Sequence, residues 1–335
     1  MQHPSDPVLT PDRPAPYDAA SDPASVDVVV IGGGAAGLGA ALQLVRQARS
    51  VLVLDAGSPR NAPASRMHGY LGLDGTPPLD FLARGRAEVE GYGGLVRGAE
   101  VVGASSGGEG AGRRLSLTLA GGEVVVARAV VLAAGLVDGL PDVAGLAERW
   151  GRDVVHCPYC HGWEVRGTRI GILATGSNAT HQALLFARLG KDPVLVTHGV
   201  SLEERDAALL RAAGVEVVEG PVARVLVDDD ALSGLELADG SRVPLQTLAV
   251  QTRMVARLGG LSGLGLEAPE HPSGMGAAVG SEFGGMTKVP GVWAAGNVSD
   301  LSAQVGAAAA QGAMAGATLN AALVMEDANA ALVTG

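Results

Sequence analysis

Apolar runs alternate with glycine-rich turns near the start of the chain, and their order predicts a strand, a helix and a second strand. Val26–Ile31 is a short β-branched run typical of a buried strand, and Leu38–Gln47 carries alanine and leucine at helical spacing. Ser50–Leu54 is the next apolar run and ends at Asp55. Together they predict a βαβ unit with parallel strands.

The turn between the first strand and the helix has the glycine spacing of a dinucleotide-binding sequence. Gly32 permits a tight turn, Gly34 lets the backbone approach a pyrophosphate, and Gly37 lets the helix pack closely on the strand. The helix N-terminus offers free N–H groups to phosphates, and Asp55 lies where a carboxylate accepts hydrogen bonds from a ribose. A glycine turn is weak evidence alone in a chain with 50 glycines, but its place between two strands predicts dinucleotide binding.

A second strand, turn and helix follows in the middle of the chain. Thr168–Leu173 predicts the strand, Gln182–Leu189 the helix and Pro193–Thr197 the next strand. Ala174 occupies the first glycine position, and no acidic residue ends the following strand. The sequence therefore predicts an α/β fold that repeats one architecture twice, with a degraded second copy.

Short apolar runs separated by polar turns predict antiparallel strands around these units. The runs are Leu115–Thr118 with Glu123–Ala127, and Val225–Val227 with Leu235–Leu237 and Val243. Gly291–Val298 is a last strand that ends in Gly-Asn, and the Ala/Gly-rich helix Gln304–Val324 follows it. Such a helix needs a closely packed neighbour, either as plain core or with its N-terminus facing a flavin.

Composition narrows the function classes. A chain with 47% hydrophobic and 18% charged residues is not disordered, and a net charge of −11 argues against a nucleic-acid partner. The apolar stretches Val26–Val45 and Val305–Val324 are dominated by glycine and alanine, so no membrane span is expected. Residues 1–24 contain six of the 18 prolines and no secretion-type apolar segment, which predicts a disordered extension and a cytoplasmic protein.

The two cysteines, Cys157 and Cys160, are the redox candidates because two cysteines three positions apart can form a small disulfide. A helix start at this point favours the thiolate of the first cysteine. A buried structural pair or a metal-binding pair is the alternative, but without further cysteines or a paired histidine motif no metal site is expected. His161 follows directly and is either a proton shuttle or an ordinary polar residue.

From about Val26 to Val324 the chain resembles the low-molecular-weight thioredoxin reductase family of FAD-containing pyridine nucleotide–disulfide oxidoreductases. The resemblance rests most on the glycine turn with Asp55, on Trp150–Gly162 and on Gly296-Asn297. It implies a homodimer with two Rossmann-like domains of three-layer ββα type. A discontinuous FAD-binding domain would comprise residues 25–137 and 254–335, and an NAD(P)-binding-like domain with the CxxC sequence would comprise residues 138–253.

The resemblance also implies roles for individual residues. Cys160 would lie next to the flavin, Cys157 would exchange with the external disulfide, and His161 would assist as a catalytic acid or base. Asn61 and Gln304 can also be read as ordinary turn and helix residues. The implied FAD-binding residues are Gly32, Gly34, Gly37, Asp55, Asn61, Val101, Gly296, Asn297, Gln304 and Val305.

Three departures from the family pattern affect the function. His161 replaces the usual aspartate after the second cysteine, and Asn297 replaces an aspartate near the flavin. Where the family reads the 2′-phosphate of NADPH with a His-Arg-Arg cluster, this chain has Thr197–Val200 followed by two glutamates, with Arg205 the one basic residue. A dianionic phosphate would lose its guanidinium partners, so use of NADPH or NADH is uncertain.

The sequence Cys-Pro-Tyr-Cys-His-Gly, with Pro59–Asn61 and His68–Leu71, resembles the dithiol oxidases of the gliotoxin and holomycin pathways. His68 is then either a proton-transfer residue or a capping or packing residue. Three hypotheses follow: a reductase of a thioredoxin-like protein, an oxygen-dependent oxidase of a small dithiol, and a non-catalytic flavin-binding protein. We favour a thioredoxin reductase-like flavoprotein that exchanges electrons between FAD and Cys157–Cys160, with the direction of electron flow open.

Overall fold

The computed structural model describes residues 25–334, so the expected disordered extension at residues 1–24 lies outside the described residues. The α-helices between residues 25 and 334 are α1 (Ala35–Val45), α2 (Pro78–Gly91), α3 (Pro158–His161), α4 (Ala179–Ala187), α5 (Glu204–Ala212) and α6 (Val305–Thr334). The strands are β1 (Ser25–Ile31), β2 (Val51–Asp55), β3 (Leu95–Gly98), β4 (Val101–Gly107), β5 (Arg114–Leu119), β6 (Val124–Leu132), β7 (Leu136–Gly139), β8 (Val154–Val155), β9 (Ile170–Leu173), β10 (Val194–Val196), β11 (Glu216–Val218), β12 (Val222–Asp228), β13 (Ala231–Leu237), β14 (Arg242–Pro244), β15 (Thr247–Val250), β16 (Arg253–Ala256), β17 (Gly276–Ala277) and β18 (Val292–Ala294).

The first sheet has a parallel centre, with β3, β2, β1, β6 and β18 side by side in that order. β6 pairs with two different strands along one edge. Its residues Val124–Ala127 pair antiparallel with β5, and Val130–Leu132 pair parallel with β18. β1 is buried almost along its whole length, as its continuous β-branched run requires. The predicted βαβ unit and the antiparallel strands at residues 115–127 are confirmed.

The second sheet is entirely parallel, with the order β11, β10, β9, β15, β8. The antiparallel strands β12, β13 and β14 form a separate small sheet, as predicted from the runs at Val225–Val227, Leu235–Leu237 and Val243. The expected α/β fold with two Rossmann-like units is confirmed.

Two short strands carry the chain from one unit to the other and back. β7 leaves the first unit, β16 returns to it, and the two pair antiparallel, with β17 alongside β16. The domain boundaries expected at residues 138 and 253 fall in these strands, and the division into domains stays a prediction.

α6 packs its alanine and glycine residues directly against α1. A Cβ atom on Gly312 would lie 1.9 Å from the carbonyl oxygen of Ala36, and one on Gly316 would lie 2.6 Å from that of Ala40. The contact therefore brings backbone against backbone, which explains the composition of this helix.

The helix is ten residues longer than the sequence pattern predicts, continuing from Val324 to Thr334. Asp327 pairs with Arg49 and Arg128, at 2.9 and 2.6 Å, and Glu326 pairs with Arg113 at 3.1 Å. These ion pairs hold a polar segment that hydrophobic periodicity does not reveal. None of the helices between residues 25 and 334 combines the length and apolar character needed to cross a membrane.

We predict that Gly312→Ala lowers the free energy of unfolding by about 1–3 kcal/mol, because its methyl group forces the α1 and α6 backbones apart. Urea unfolding measures this loss. Gly91→Ala is the matched control, since a Cβ atom on Gly91 meets nothing within 4 Å. Equal stability of the two variants would contradict the close backbone contact.

Candidate active site

The glycine turn after β1 combines two tightly packed positions with one open position. Gly32 has a φ of +108°, and a Cβ atom there would lie 2.3 Å from the carbonyl oxygen of Ala133. A Cβ atom on Gly37 would lie 1.8 Å from the carbonyl oxygen of Gly32, so this glycine serves the helix–strand contact. A Cβ atom on Gly34 meets nothing within 4 Å. The turn therefore leaves space beside the N-terminus of α1 at Gly34.

Gly34 is also the N-cap residue of α1, and no side chain caps the helix there. The first N–H groups of the helix are thus available to an anion, and the helix dipole adds positive potential. Open space next to uncapped N–H groups fits the pyrophosphate of a dinucleotide.

Asp55 ends β2 and lies beside this turn. Its carboxylate accepts hydrogen bonds from the Arg86 side chain and, at 3.1 Å, from the backbone N–H of Gly57. The sequence reasoning missed Arg86, which approaches from α2 and carries no local signal. A carboxylate has four lone-pair positions, so Asp55 keeps capacity to accept from ribose hydroxyls.

The open space at Gly34 belongs to a cleft of about 1110 Å³ that extends to the cysteine pair. This volume exceeds the usual range of about 300–1,000 Å³ for ligand pockets and suits a large cofactor. Eleven of the thirteen predicted site residues line the cleft: Gly32, Gly34, Asp55, Asn61, Val101, Cys157, Cys160, His161, Asn297, Gln304 and Val305.

Gly37 and Gly296 do not line the cleft. Gly37 is buried under the turn, and Gly296 has a φ of +75° with a would-be Cβ atom 2.7 Å from the Cβ atom of Ala36. Asn297 lines the cleft but uses its amide N–H groups on the carbonyl oxygens of Asp300 and Ala303, at 3.0 and 2.9 Å. It thereby shapes the turn that leads into α6.

Cys157 and Cys160 form a disulfide, with their Cα atoms 5.3 Å apart. Cys157 is the N-cap of the short helix α3, and its Sγ accepts a hydrogen bond from the backbone N–H of Cys160 at 3.2 Å. An N–H donor at this sulfur stabilises negative charge on it after the disulfide opens. Both sulfurs belong to half-buried residues, so a small thiol can reach them.

His161 is the buried imidazole next to Cys160. Both of its ring nitrogens are buried, and no described residue offers either of them a hydrogen bond. Burial lowers the pKa of His161, and the opposing effect of Glu164 is smaller, so the ring is neutral at pH 7. A neutral, unpartnered imidazole in this position is equipped to accept a proton.

His156, directly before Cys157, is a second imidazole in the cleft that the sequence reasoning did not single out. Its Nδ1 lies 3.0 Å from the carbonyl oxygen of Val250, so Nδ1 carries the proton and Nε2 is the acceptor. Burial lowers the pKa of His156 as well. Its adjacency to the cysteine was the available signal.

Arg60 and Asp138 form a bidentate ion pair at the edge of the cleft, with both N–O distances 2.7 Å. Asp138 also accepts a hydrogen bond from the Thr252 hydroxyl at 2.6 Å. Burial opposes ionisation of Asp138, but Arg60 and Thr252 outweigh it and leave the pKa of this carboxyl below its ordinary value. The sequence reasoning missed this pair, whose members are 78 residues apart.

His68 reaches the cysteine-bearing half from the loop before α2. Its Nδ1 lies 3.4 Å from Oδ2 of Asp74, and its Nε2 lies 3.5 Å from Oε1 of Glu164. It also lines the cleft.

Comparison with known proteins places this geometry in a family. The family model for pyridine nucleotide-disulphide oxidoreductases matches residues 26–315. The chain belongs to this family. It is therefore an FAD-dependent disulfide oxidoreductase, which disfavours the alternative of a non-catalytic flavin-binding protein.

The chain is similar over nearly its whole length to two proteins named thioredoxin reductase and to one solved structure. Thioredoxin reductase tcpT of Claviceps purpurea is 34% identical over 301 residues, covering 87% of this chain and 92% of that protein. Thioredoxin reductase sirT of Leptosphaeria maculans is 32% identical, covering 90% and 95%. The crystal structure of HlmI has a TM-score of 0.87 at 44% identity, covering 92% of this chain and 96% of HlmI.

Membership of the pyridine nucleotide-disulphide oxidoreductases implies a flavin and a pyridine nucleotide. The open, uncapped α1 terminus and the spare acceptor positions of Asp55 fit FAD, so the residues present suit the group. The second βαβ unit, in which Ala174 replaces the first glycine, decides which pyridine nucleotide the protein can use.

We predict that Gly34→Asp keeps the fold but lowers flavin affinity about 100-fold or more, because aspartate caps α1 well yet places a negative charge where the pyrophosphate binds. Flavin absorbance per protein and binding titration of the flavin-free protein measure the loss. Gly176→Asp, in the corresponding turn of the second unit, is the control and should retain flavin, since its Cβ position is also open. Full flavin content in Gly34→Asp would refute this site.

We predict that His161→Gln slows reduction of the protein by a dithiol about 100-fold near pH 6–7. The neutral imidazole remains a base down to pH values below its ordinary pKa because burial lowers that pKa. The difference should shrink towards pH 9, where the thiols, with an ordinary pKa of about 8.5, ionise without a base. Rapid-mixing rates across this pH range test the prediction, and parallel pH profiles would contradict it.

Proposed function

We propose that this protein oxidises a small dithiol by exchange with Cys157–Cys160 and passes the electrons to FAD, with molecular oxygen as the final acceptor. The overall reaction converts a dithiol and dioxygen into a disulfide and hydrogen peroxide. The direction of electron flow, from the dithiol to FAD, is supported by one observation: the βαβ unit of β9, α4 and β10 fits NADPH poorly.

The segment after β10 offers a 2′-phosphate one cationic side chain, Arg205, which lies among several carboxylates. Nδ1 of His198 accepts a hydrogen bond from the backbone N–H of Val222 at 2.9 Å, so this nitrogen is not available to donate to a phosphate. Glu203 is the N-cap of α5, and Glu204 and Asp206 lie in its first turn. Negative side chains thus occupy the region where the phosphate would bind, which supports electron entry from a thiol rather than from NADPH.

The cleft residues would hold FAD as follows. The N-terminus of α1 at Gly34 would meet the pyrophosphate, Asp55 the ribose, and Asn61, Asn297, Gln304 and Val305 the flavin half. When bound, FAD supplies a two-electron acceptor for the cysteine pair.

The exchange itself uses groups of this chain. A substrate thiol gives its proton to His161, its sulfur bonds to Cys157, and the Cys157–Cys160 bond breaks with the electron pair on Cys160. The second substrate thiol then displaces Cys157, and its proton passes to the departing sulfur of Cys157. This leaves the substrate as a disulfide and the protein with a thiol on Cys157, a thiolate on Cys160 and a proton on His161. The N–H of Cys160 stabilises Cys157 as it leaves.

A reductase acting on a thioredoxin-like protein is the second candidate function. The parallel strands β9 and β10 around α4 keep the frame of a nucleotide-binding unit, and similar proteins carry the name thioredoxin reductase. Electrons would then run from a pyridine nucleotide through FAD to Cys157–Cys160. A homodimer remains a prediction from the family resemblance, and a cytoplasmic location remains a prediction from the N-terminal sequence.

We predict that, without oxygen, dithiothreitol bleaches the flavin rapidly while NADPH and NADH bleach it slowly. Visible absorbance after rapid mixing measures each rate. Stoichiometric bleaching at micromolar NADPH would overturn the proposed direction and favour the reductase.

Cys157→Ser serves as the control in the same experiment. It should bind flavin fully, because Cys157 is not among the residues expected to bind it, but dithiothreitol should no longer bleach it through the cysteine pair. Undiminished bleaching in this variant would eliminate Cys157 as the exchanging sulfur.

A further inference from the structure

Four titratable side chains form a series that begins at the cysteine helix α3 and ends at the protein surface. They are His161, Glu164, His68 and Asp74. His161 interacts electrostatically with both Glu164 and His68. The side chain of His68 is 21% exposed, that of Glu164 40% and that of Asp74 66%. The cluster therefore runs from a buried imidazole to an exposed carboxylate.

The loop that carries His68 is built to orient its ring. Oδ1 of Asp74 accepts a hydrogen bond from the backbone N–H of Gly69 at 2.9 Å, which leaves Oδ2 facing Nδ1 of His68 at 3.4 Å. The loop is closed by the bonds between Met67 and Thr76 and between Gly75 and Met67, both 2.9 Å. Each ring nitrogen of His68 thus faces one carboxylate, with Asp74 at Nδ1 and Glu164 at Nε2.

The proposed exchange creates a need for proton transfer. Each dithiol that is oxidised gives up two protons: one goes to the sulfur of Cys157 as it leaves, and the other is left on His161 beside the thiolate of Cys160. The formation of hydrogen peroxide later consumes two protons, so the proton on His161 can be exchanged with solvent and a proton resupplied during each turnover. The ring nitrogens of His161, however, have no bonded partner among the described residues and are buried.

We propose that His68 is a positioning residue that carries protons between His161 and the surface, with Glu164 and Asp74 on either side of its ring. This inference rests on the proposed dithiol exchange. The proposal gives a role to the His68–Leu71 sequence, which neither the glycine turn nor the cysteine pair explains.

Several other charged and titratable groups that line the cleft bond to partners outside this cluster, and Tyr159 and His181 line the cleft as well. Arg66, on the same loop, donates to the carbonyl oxygen of Gly75 at 3.2 Å. His156 influences His161 electrostatically, but its Nδ1 donates to the carbonyl oxygen of Val250. Arg60, which influences His156 in turn, is paired with Asp138. These contacts leave Arg66, Arg60 and the Nδ1 proton of His156 engaged with other groups.

The test is anaerobic reduction of the flavin-loaded protein by dithiothreitol, followed from pH 6 to pH 9 in H₂O and D₂O. His68→Gln should react about 10- to 100-fold more slowly near neutral pH, less than the loss of about 10²–10⁴ for a base in direct contact. Asp74→Asn should shift the pH profile in the same direction by a smaller factor. In His68→Ala, added imidazole should restore the rate in proportion to its concentration.

His271→Gln is the matched control, because His271 lies in an exposed turn with Nδ1 2.7 Å from the Ser273 hydroxyl and outside the cleft. It should keep the rate and pH profile of the unaltered protein. Flavin content and thermal stability of every variant separate proton transfer from folding.

The outcomes separate the two proposals. An unaltered protein that no dithiol reduces overturns the proposed function. If the unaltered protein is reduced rapidly, an unchanged rate and pH profile in His68→Gln overturns the role of His68 alone. A slow His68→Ala variant that folds and binds flavin but is not rescued by imidazole likewise overturns it and leaves a packing role.

Discussion

Backbone-to-backbone contact around α1 is the constraint on which the structure depends. The helix approaches Gly32 through Gly37, and Gly312 of α6 approaches the carbonyl of Ala36 on its other side. No side chain intervenes at these points, so the N-terminus of α1 is held between a strand and a long helix. A core of Ala, Val and Leu with only 3% aromatic residues is the compositional result.

This rigid framework supplies one wall of the cleft, and the disulfide-bearing helix α3 supplies another. The framework wall presents main-chain N–H groups, whereas the other wall presents sulfur and imidazole. Burial keeps His156 and His161 uncharged at neutral pH, so this wall receives protons rather than attracting anions. The two walls therefore divide the work between holding a charged cofactor and exchanging sulfur.

The sequence predicts those parts of the site that depend on local spacing. The glycine turn, its flanking strands and the CxxC pair are each encoded within about 30 residues, and the structure brings them to one cleft. The polar partners are long-range: Arg86 reaches Asp55, Arg60 reaches Asp138, and His68 reaches Glu164. Hydrophobic periodicity carries no information about which charged side chains meet, so these pairs were not predictable.

The C-terminal end of α6 shows that long-range ion pairs also limit the prediction of secondary structure. Apolar spacing stops near Val324, yet the helix continues because Glu326 and Asp327 meet arginines from β6 and from the segments before β2 and β5. Similarly, Gly37 and Gly296 match dinucleotide-binding positions but support the fold beneath the cleft. The spacing of a motif identifies such glycines, but it does not show whether a glycine contacts the ligand or packs within the fold.

The Arg60–Asp138 pair has a consequence for how the two units stay connected in acid. Asp138 belongs to the outgoing crossover strand β7 and Thr252 precedes the returning strand β16, so one carboxylate ties both crossings to the loop after β2. Because its pKa lies below the ordinary aspartate value, this tie persists as pH falls through the range where exposed carboxylates take up protons, and it is lost only below that range. The junction is therefore among the last ionic contacts to fail on acidification.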